Sequence, residues 1–164
     1  MATLPQLIEE DVQKLDDILR EFISNSDSTA ALIIDKGGFL IASQGEAKDY
    51  DFTTIGALAS GAFMANETIA GLVHETTFTS TYQQGENSSL YIVNVDEHCL
   101  LVVIFSSHIG VVKYFAAGAT QKIARQIRTA GERAPGKVID LSMLNVVDTQ
   151  DVFRKKDTGD RERS

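Results

Sequence analysis

Only one cysteine occurs among the 164 residues, so no internal disulfide can form and a reducing, cytoplasmic setting is the expectation. Long apolar runs are scarce as well. The longest, Cys99-Leu-Leu-Val-Val-Ile-Phe105, falls far below the ~18 residues that a membrane span needs. No basic residue precedes Glu9, Glu10 and Asp11, which argues against a secretory leader. Cations are missing altogether between Lys48 and Lys113. That gap excludes nucleic acid, phosphate groups and anionic membrane as partners of the middle of the chain.

Catalytic signatures are absent too. The sequence holds no Gly-x-x-x-x-Gly-Lys-Ser/Thr phosphate loop, no Gly-x-Ser-x-Gly elbow and no His-Glu-x-x-His helix. His74, His98 and His108 are scattered, and Cys99 adjoins His98 in a strand-like run, where neighbouring side chains point to opposite faces. Asn66-Glu-Thr68 and Asn87-Ser-Ser89 match glycosylation sequons, which a cytoplasmic chain reduces to chance. The expectation is no enzyme, no cofactor and no metal.

What is present suits a folded domain: 43% of residues are apolar and 23% charged, enough at this length to build a real core. Acidic groups outnumber basic ones 23 to 15, a formal net charge of −8. Residues 131–164 carry seven of each sign, so the whole excess belongs to residues 1–130. The first helical segment is acidic, with Glu9, Glu10, Asp11, Asp16, Asp17 and Glu21 against Lys14 and Arg20; a solvated face accounts for them. The last, Gly110 to Ala130, holds Lys113, Lys122, Arg125 and Arg128 and no acid. Opposite charge on the two helices places them side by side.

Thr3-Leu-Pro-Gln6 reads as a capping box opening that first helix. Leu4, Ile8, Val12, Leu15, Leu19 and Phe22 follow at helical spacing, with Ile18 and Ile23 widening the stripe. Ala30–Asp35 and Phe39–Ser43 are strand-like and joined by Lys36-Gly37-Gly38, whose glycine pair offers the positive φ of a tight hairpin. A second helix is capped near Asp51 and runs to about Val73. Ile55, Leu58, Ala59, Ala62, Ile69 and Val73 share one side, assigned to the core, with Asn66 among them in need of a partner. The opposite side, with Ala57, Gly61, Met64, Thr68 and Gly71, is small and nearly uncharged, unlike a solvated face. Strand-like runs at Thr76–Tyr82, Leu90–Val95 and Cys99–Phe105 come next. The final helix carries Val112, Phe115, Ala116, Ala119, Ile123 and Ile127 on one stripe. Beyond Pro135-Gly136, residues 138–153 read as weakly amphipathic and 154–164 as disordered.

Three segments carry a resemblance: Leu32-Ile-Ile-Asp-Lys-Gly-Gly-Phe-Leu-Ile-Ala-Ser43, Asp51-Phe-Thr-Thr-Ile-Gly-Ala-Leu-Ala-Ser-Gly61, and Ser89-Leu-Tyr-Ile-Val with Leu100-Leu-Val-Val-Ile-Phe105. In this order they resemble the Roadblock / dynein light chain family, most of all its bacterial MglB-type GTPase regulators. The resemblance covers roughly residues 5–130. It implies an α/β (α+β type) fold of order α-β-β-α-β-β-β-α: a five-stranded antiparallel sheet with one helix on one face and two on the other. Residues 1–130 then form a Roadblock-type domain and 131–164 a tail. It also implies a homodimer through the second helix and third strand, and a small Ras-like, MglA-like GTPase as partner in cell polarity. In that family the regulator docks through its second helix and lends no arginine finger. Carried over, the docking and dimer face is Ala57, Gly61, Met64, Ala65, Thr68 and Gly71, where Met64 and Thr68 are larger than the family tends to place. The residues agree on one physical point: a helix without Lys or Arg cannot deliver a cation to a transition-state phosphate. A non-catalytic dimeric adaptor is the alternative, with Val138–Val147 as a second contact segment. A small-molecule sensor lacks any polar constellation to support it.

Overall fold

The computed structural model describes residues 3–46 and 48–133. The amphipathic and disordered segments expected over 138–153 and 154–164 lie outside the described residues. Helix α1 (Glu9–Ser26) is followed by strands β1 (Ala30–Asp35) and β2 (Leu40–Gly45) and helix α2 (Phe52–Leu72). Strands β3 (Ser80–Gln84), β4 (Ser89–Asn94) and β5 (Cys99–Phe105) lead into helix α3 (Ile109–Gly131).

All strand pairs are antiparallel and the order across the sheet is β2-β1-β5-β4-β3. The first and last strands of the chain thus meet at the centre. There both faces are covered, which is why β1 and β5 are continuous apolar runs rather than alternating ones. Leu32, Ile34, Ile92, Leu100 and Val102 face α2 and pack with Ala59 and Phe63. Ala31, Ile33, Tyr91, Leu101, Val103 and Phe105 face the other way, onto Leu15, Leu19 and Phe22 of α1 and Val112, Ile123 and Ile127 of α3. The expected arrangement of one helix against two is what the structure has.

The acidic and basic helices are neighbours, as their charges imply. Lys122 Nζ lies 3.2 Å from Glu21 Oε2, and Gln126 Nε2 donates to Asp11 Oδ1 at 2.9 Å. Asp11 corrects two expectations. It is 1% exposed, not part of a solvated face, and its Oδ2 accepts from the Ile8 N–H at 2.9 Å. That bond fixes the helix start at Glu9, so Thr3-Leu-Pro-Gln6 caps nothing. Residues 3–8 instead run without helix, with Leu4 and Leu7 against the core and Pro5 beside Gly131 at the end of α3. Burial of these side chains outweighs another turn of helix.

Two of the three hairpins are held by an aspartate. Asp35 Oδ1 accepts from Phe39 N at 2.9 Å, and Gly38 alone of the glycine pair takes positive φ, at 96°. Asp96 Oδ1 accepts from His98 N and Cys99 N at 2.8 and 2.9 Å, turning the chain from β4 into β5. The third strand begins later than expected, at Ser80 rather than Thr76. His74 (φ 65°) ends α2, Glu75 N donates back to Ala70 O at 2.8 Å, and Thr76–Thr79 are spent crossing from the helix to the sheet.

Candidate docking surface

Helix α2 begins where Asp51 caps it. Asp51 Oδ1 accepts from Thr54 N at 3.1 Å and Oδ2 from the Thr54 hydroxyl at 2.6 Å. The hydroxyl bond, then the backbone one, hold this carboxyl below its ordinary value. From there to Leu72 the only charged side chain is Glu67.

The inward side of α2 is not the one expected. Gly56, Ala59, Ser60, Phe63 and Ala70 are buried, with Ile55 partly so, whereas Leu58 (70% exposed), Ile69 and Val73 stand in the open. Two contacts fix this rotation. A Cβ on Gly56 would come within 2.9 Å of Ile34 Cγ2, so the glycine is what lets the helix sit close on β1. Phe63 is the one large side chain of α2 that is fully buried beneath it, with Phe52 and Ile55 packed partly against the same cluster. On one flank the Ser60 hydroxyl donates to Lys36 O at 2.6 Å, binding α2 to the β1–β2 hairpin. On the other, Asn66 Nδ2 donates to Thr81 Oγ1 at 2.9 Å, binding it to β3; this is the partner that Asn66 requires.

All six residues of the expected face, Ala57, Gly61, Met64, Ala65, Thr68 and Gly71, are exposed. At 100° per residue the first five lie within about 60° of the outward direction, while Gly71 lies about 80° away, toward the hairpin flank. Thr68 turns its hydroxyl to Met64 O at 3.4 Å, and Gly61 and Gly71 have nothing within 4 Å of a built Cβ. Three residues belong to this surface that periodicity had assigned to the core or left unassigned: Leu58, Ile69 and Leu72, the last 76% exposed. Leu58 and Ile69 lie on the flank toward β3. That strand pairs only with β4, so its outer edge carries free backbone groups among the described residues. The protein therefore presents two contiguous apolar surfaces on one helix, an outward ridge of small residues and a flank of larger ones beside an open strand edge.

Elsewhere among the described residues the titratable side chains do not converge on one site. Cys99 is buried, and burial, followed by the carboxylates of Asp96 and Asp35, pushes its thiol up to about 12. Neighbouring His98 points its Nε2 to Glu97 Oε1 at 3.2 Å. His108 caps α3, its Nδ1 accepting from Gly110 N at 3.0 Å. Among the described residues no group of three or more His, Cys, Asp or Glu is placed to hold a metal ion. None of the described helices is long and apolar enough to cross a membrane. A groove of ≈ 330 Å³ between α1 and α3 is lined by Ile18, Phe22, Tyr114 and Phe115, with Glu21 and Lys122 at its edge.

A five-stranded antiparallel sheet faced by one nearly uncharged helix on one side and two helices on the other defines a Roadblock-type α+β domain. The Roadblock/LC7 domain profile matches residues 14–105, more than half of the chain, and the chain belongs to that family. Among solved structures it is similar to the gliding protein MglB of Thermus thermophilus (26% identity, 79% of this chain and 99% of that one, TM-score 0.71). It is similar as well to a structure described as MglB with tetrameric arrangement (27% identity, 79% and 99% covered, TM-score 0.74). An uncharacterised protein of Methanocaldococcus jannaschii is 28% identical over 110 residues, 66% of this chain and 96% of that protein.

Proposed function

We propose that this protein is a homodimeric regulator that binds a small Ras-like, MglA-like GTPase through α2 and stimulates GTP hydrolysis. The observation that carries the reading is the outward ridge of α2, exposed over its length and nearly free of charge. A solvated helix would be expected to carry lysines and glutamates there. An exposed apolar strip of this kind marks a protein contact. The likeness to MglB structures supports the class of partner that the sequence resemblance implies.

The two surfaces of α2 divide the work. The β3-side flank, with Leu58 and Ile69 next to an unpaired strand edge, suits a second copy, which would extend the sheet while burying the flank. The ridge of Ala57, Gly61, Met64, Ala65 and Thr68 is left for the GTPase. No cation lies on α2, so stimulation works by holding the GTPase's own catalytic groups in place and not by adding an arginine to the transition state. The protein needs no active site or cofactor of its own in this scheme, and its site of action is the cytoplasm.

The test is phosphate release from a GTP-loaded Ras-like GTPase of the same organism, with and without this protein. Acceleration that is lost in Gly61→Arg, a variant with open space around the new side chain, is the expected result. Binding without acceleration makes the protein an adaptor. An unaffected Gly61→Arg removes α2 as the docking element.

A further inference from the structure

The side of the sheet away from α2 carries a second surface, built on α1 and α3. The groove of ≈ 330 Å³ between these helices is lined chiefly by Ile18, Phe22, Tyr114, Phe115, Gly118 and Ala119. Tyr114 is 75% exposed and meets Phe115 edge-on, with ring centres 5.1 Å apart. A Cβ at Gly118 would meet nothing within 4 Å beyond the helix's own backbone, so the rim of the groove is low there. Further along, the same face of α3 turns basic. At 100° per residue Tyr114, Gly118, Gln121, Arg125 and Arg128 lie within about 40° of a common outward direction, over about 20 Å of helix.

The two helices treat their charges differently. Both cations of α1 are paired within that helix, Lys14 with Glu10 at 3.0 Å and Arg20 with Asp17 at 2.9 Å. Helix α3 contains no acidic residue, and its Lys122 reaches across to Glu21 of α1. Arg125 and Arg128 are exposed and, among the described residues, make no ion pair. The helix dipole accounts for a cation in the last turn, which is where Arg128 lies, but not for Arg125 a turn earlier.

We propose that this face docks an acidic amphipathic helix of a partner protein other than the GTPase. Its apolar side chains enter the groove, and its carboxylates meet Arg125 and Arg128 about two turns further along. Charge complementarity selects the occupant. In a chain of net charge −8, an apolar groove that continues into unpaired arginines attracts an acidic segment and rejects a basic one. A second copy offers those arginines little, since Glu10, Asp17 and Glu21 are already paired. A helix suits the shape, because a small rim residue lets a third helix lie close along two packed ones. The site is on the opposite side of the sheet from α2, so occupation of one surface leaves the other open.

The experiment is fluorescence anisotropy with two labelled helical peptides. One carries leucines along one face and glutamates two turns beyond them; the other has lysines in place of the glutamates. Each is titrated with wild type, Tyr114→Ala, Gly61→Arg and the double variant Arg125→Glu with Arg128→Glu, and a melting curve is taken for each protein. Wild type should bind the acidic peptide about tenfold more tightly than the basic one, and the double variant should invert that preference. Tyr114→Ala should weaken both peptides by a similar factor, Gly61→Arg should bind as wild type does, and the melting temperatures should agree. Equal binding of the two peptides, binding of neither, or a preference that survives the double reversal overturns the site. Loss of binding in Gly61→Arg moves the peptide to α2 and overturns it as well. Sedimentation with phosphatidylglycerol vesicles is the remaining arm: a wild type that pellets, with a double variant that does not, gives the face to an anionic membrane and overturns the protein partner.

Discussion

Replacing the two open glycines of α2 by alanine tests whether the outward ridge is free in the isolated protein. Gly61 lies in the middle of the helix and Gly71 in its last turn, and beyond the helix's own neighbouring backbone a Cβ at either would meet nothing within 4 Å. Alanine at an interior, solvent-facing helix position is favoured over glycine by about 1 kcal/mol, because the unfolded chain loses less freedom on folding. At the last turn the gain is roughly half of that. Gly61→Ala with Gly71→Ala should therefore raise stability by about 1.5 kcal/mol, or about 5 °C in melting temperature for a domain of this size. In urea the midpoint should rise by roughly 0.7 M with an unchanged slope. Stability given up at an exposed glycine has a use if a partner's surface must come close to the helix backbone, so the same variant should bind the GTPase less tightly. A loss of stability would refute the reasoning: it would mean that Gly61 already packs against a second copy in solution, and that the ridge and the dimer contact are one surface.

The identical change one and a half turns earlier should have the opposite sign. Gly56→Ala puts a methyl group 2.9 Å from Ile34 Cγ2 beneath the helix, and the melting curve should show a destabilisation of about 1–2 kcal/mol net of the propensity gain. Asp11→Ala should destabilise by about 2–3 kcal/mol in urea titration, because it strips the Ile8 N–H and the Gln126 amide of a buried acceptor. The Cys99 thiol should resist alkylation at pH 8 until denaturant is added, since burial holds it protonated with its pKa raised to about 12. Because the unfolded thiol releases its proton near the ordinary 9.0 and the folded one does not, Cys99 should lower stability as pH climbs from there toward 12. A flat contribution over that range, measured against Cys99→Ser, would contradict the burial argument.

The parts of the fold legible in the sequence are those where burial is one-sided or complete. The stripe of Val112, Ala116, Ala119, Ile123 and Ile127 names the inner side of α3 correctly because charged residues occupy its outer side. The run from Cys99 to Phe105 announces a central strand because covered sheets have no polar face to alternate with. Helix ends are harder, since a cap depends on which carboxylate finds an orphan N–H. Thr3 and Asp11 both suit the role, and only the packing of Leu4, Leu7 and Pro5 against the folded domain decides between them. The outward ridge of α2 was legible as a class of surface, small and uncharged, because its exposed positions lack the charge that water normally selects.

The phase of α2 was not legible, and the reason is the same lack of charge on which its proposed role rests. Hydrophobic periodicity locates the buried side of a helix only when the rest of the helix is polar. Here the inward side is partly built from Gly56 and Ser60, which are small because the helix lies close to β1, while Leu58, Ile69 and Leu72 are outside. An apolar count therefore points to the flank in place of the core. A monomer that needed α2 only to cover its sheet would gain solubility by charging that flank and ridge, and would then show its phase plainly. The chain instead keeps one charge in the whole helix, Glu67. The misplacement of Leu58, Ile69 and Val73 thus has a cause: the helix is nearly uncharged on its outer sides as well as on the side that serves the core, which is the pattern that the two proposed contacts would favour.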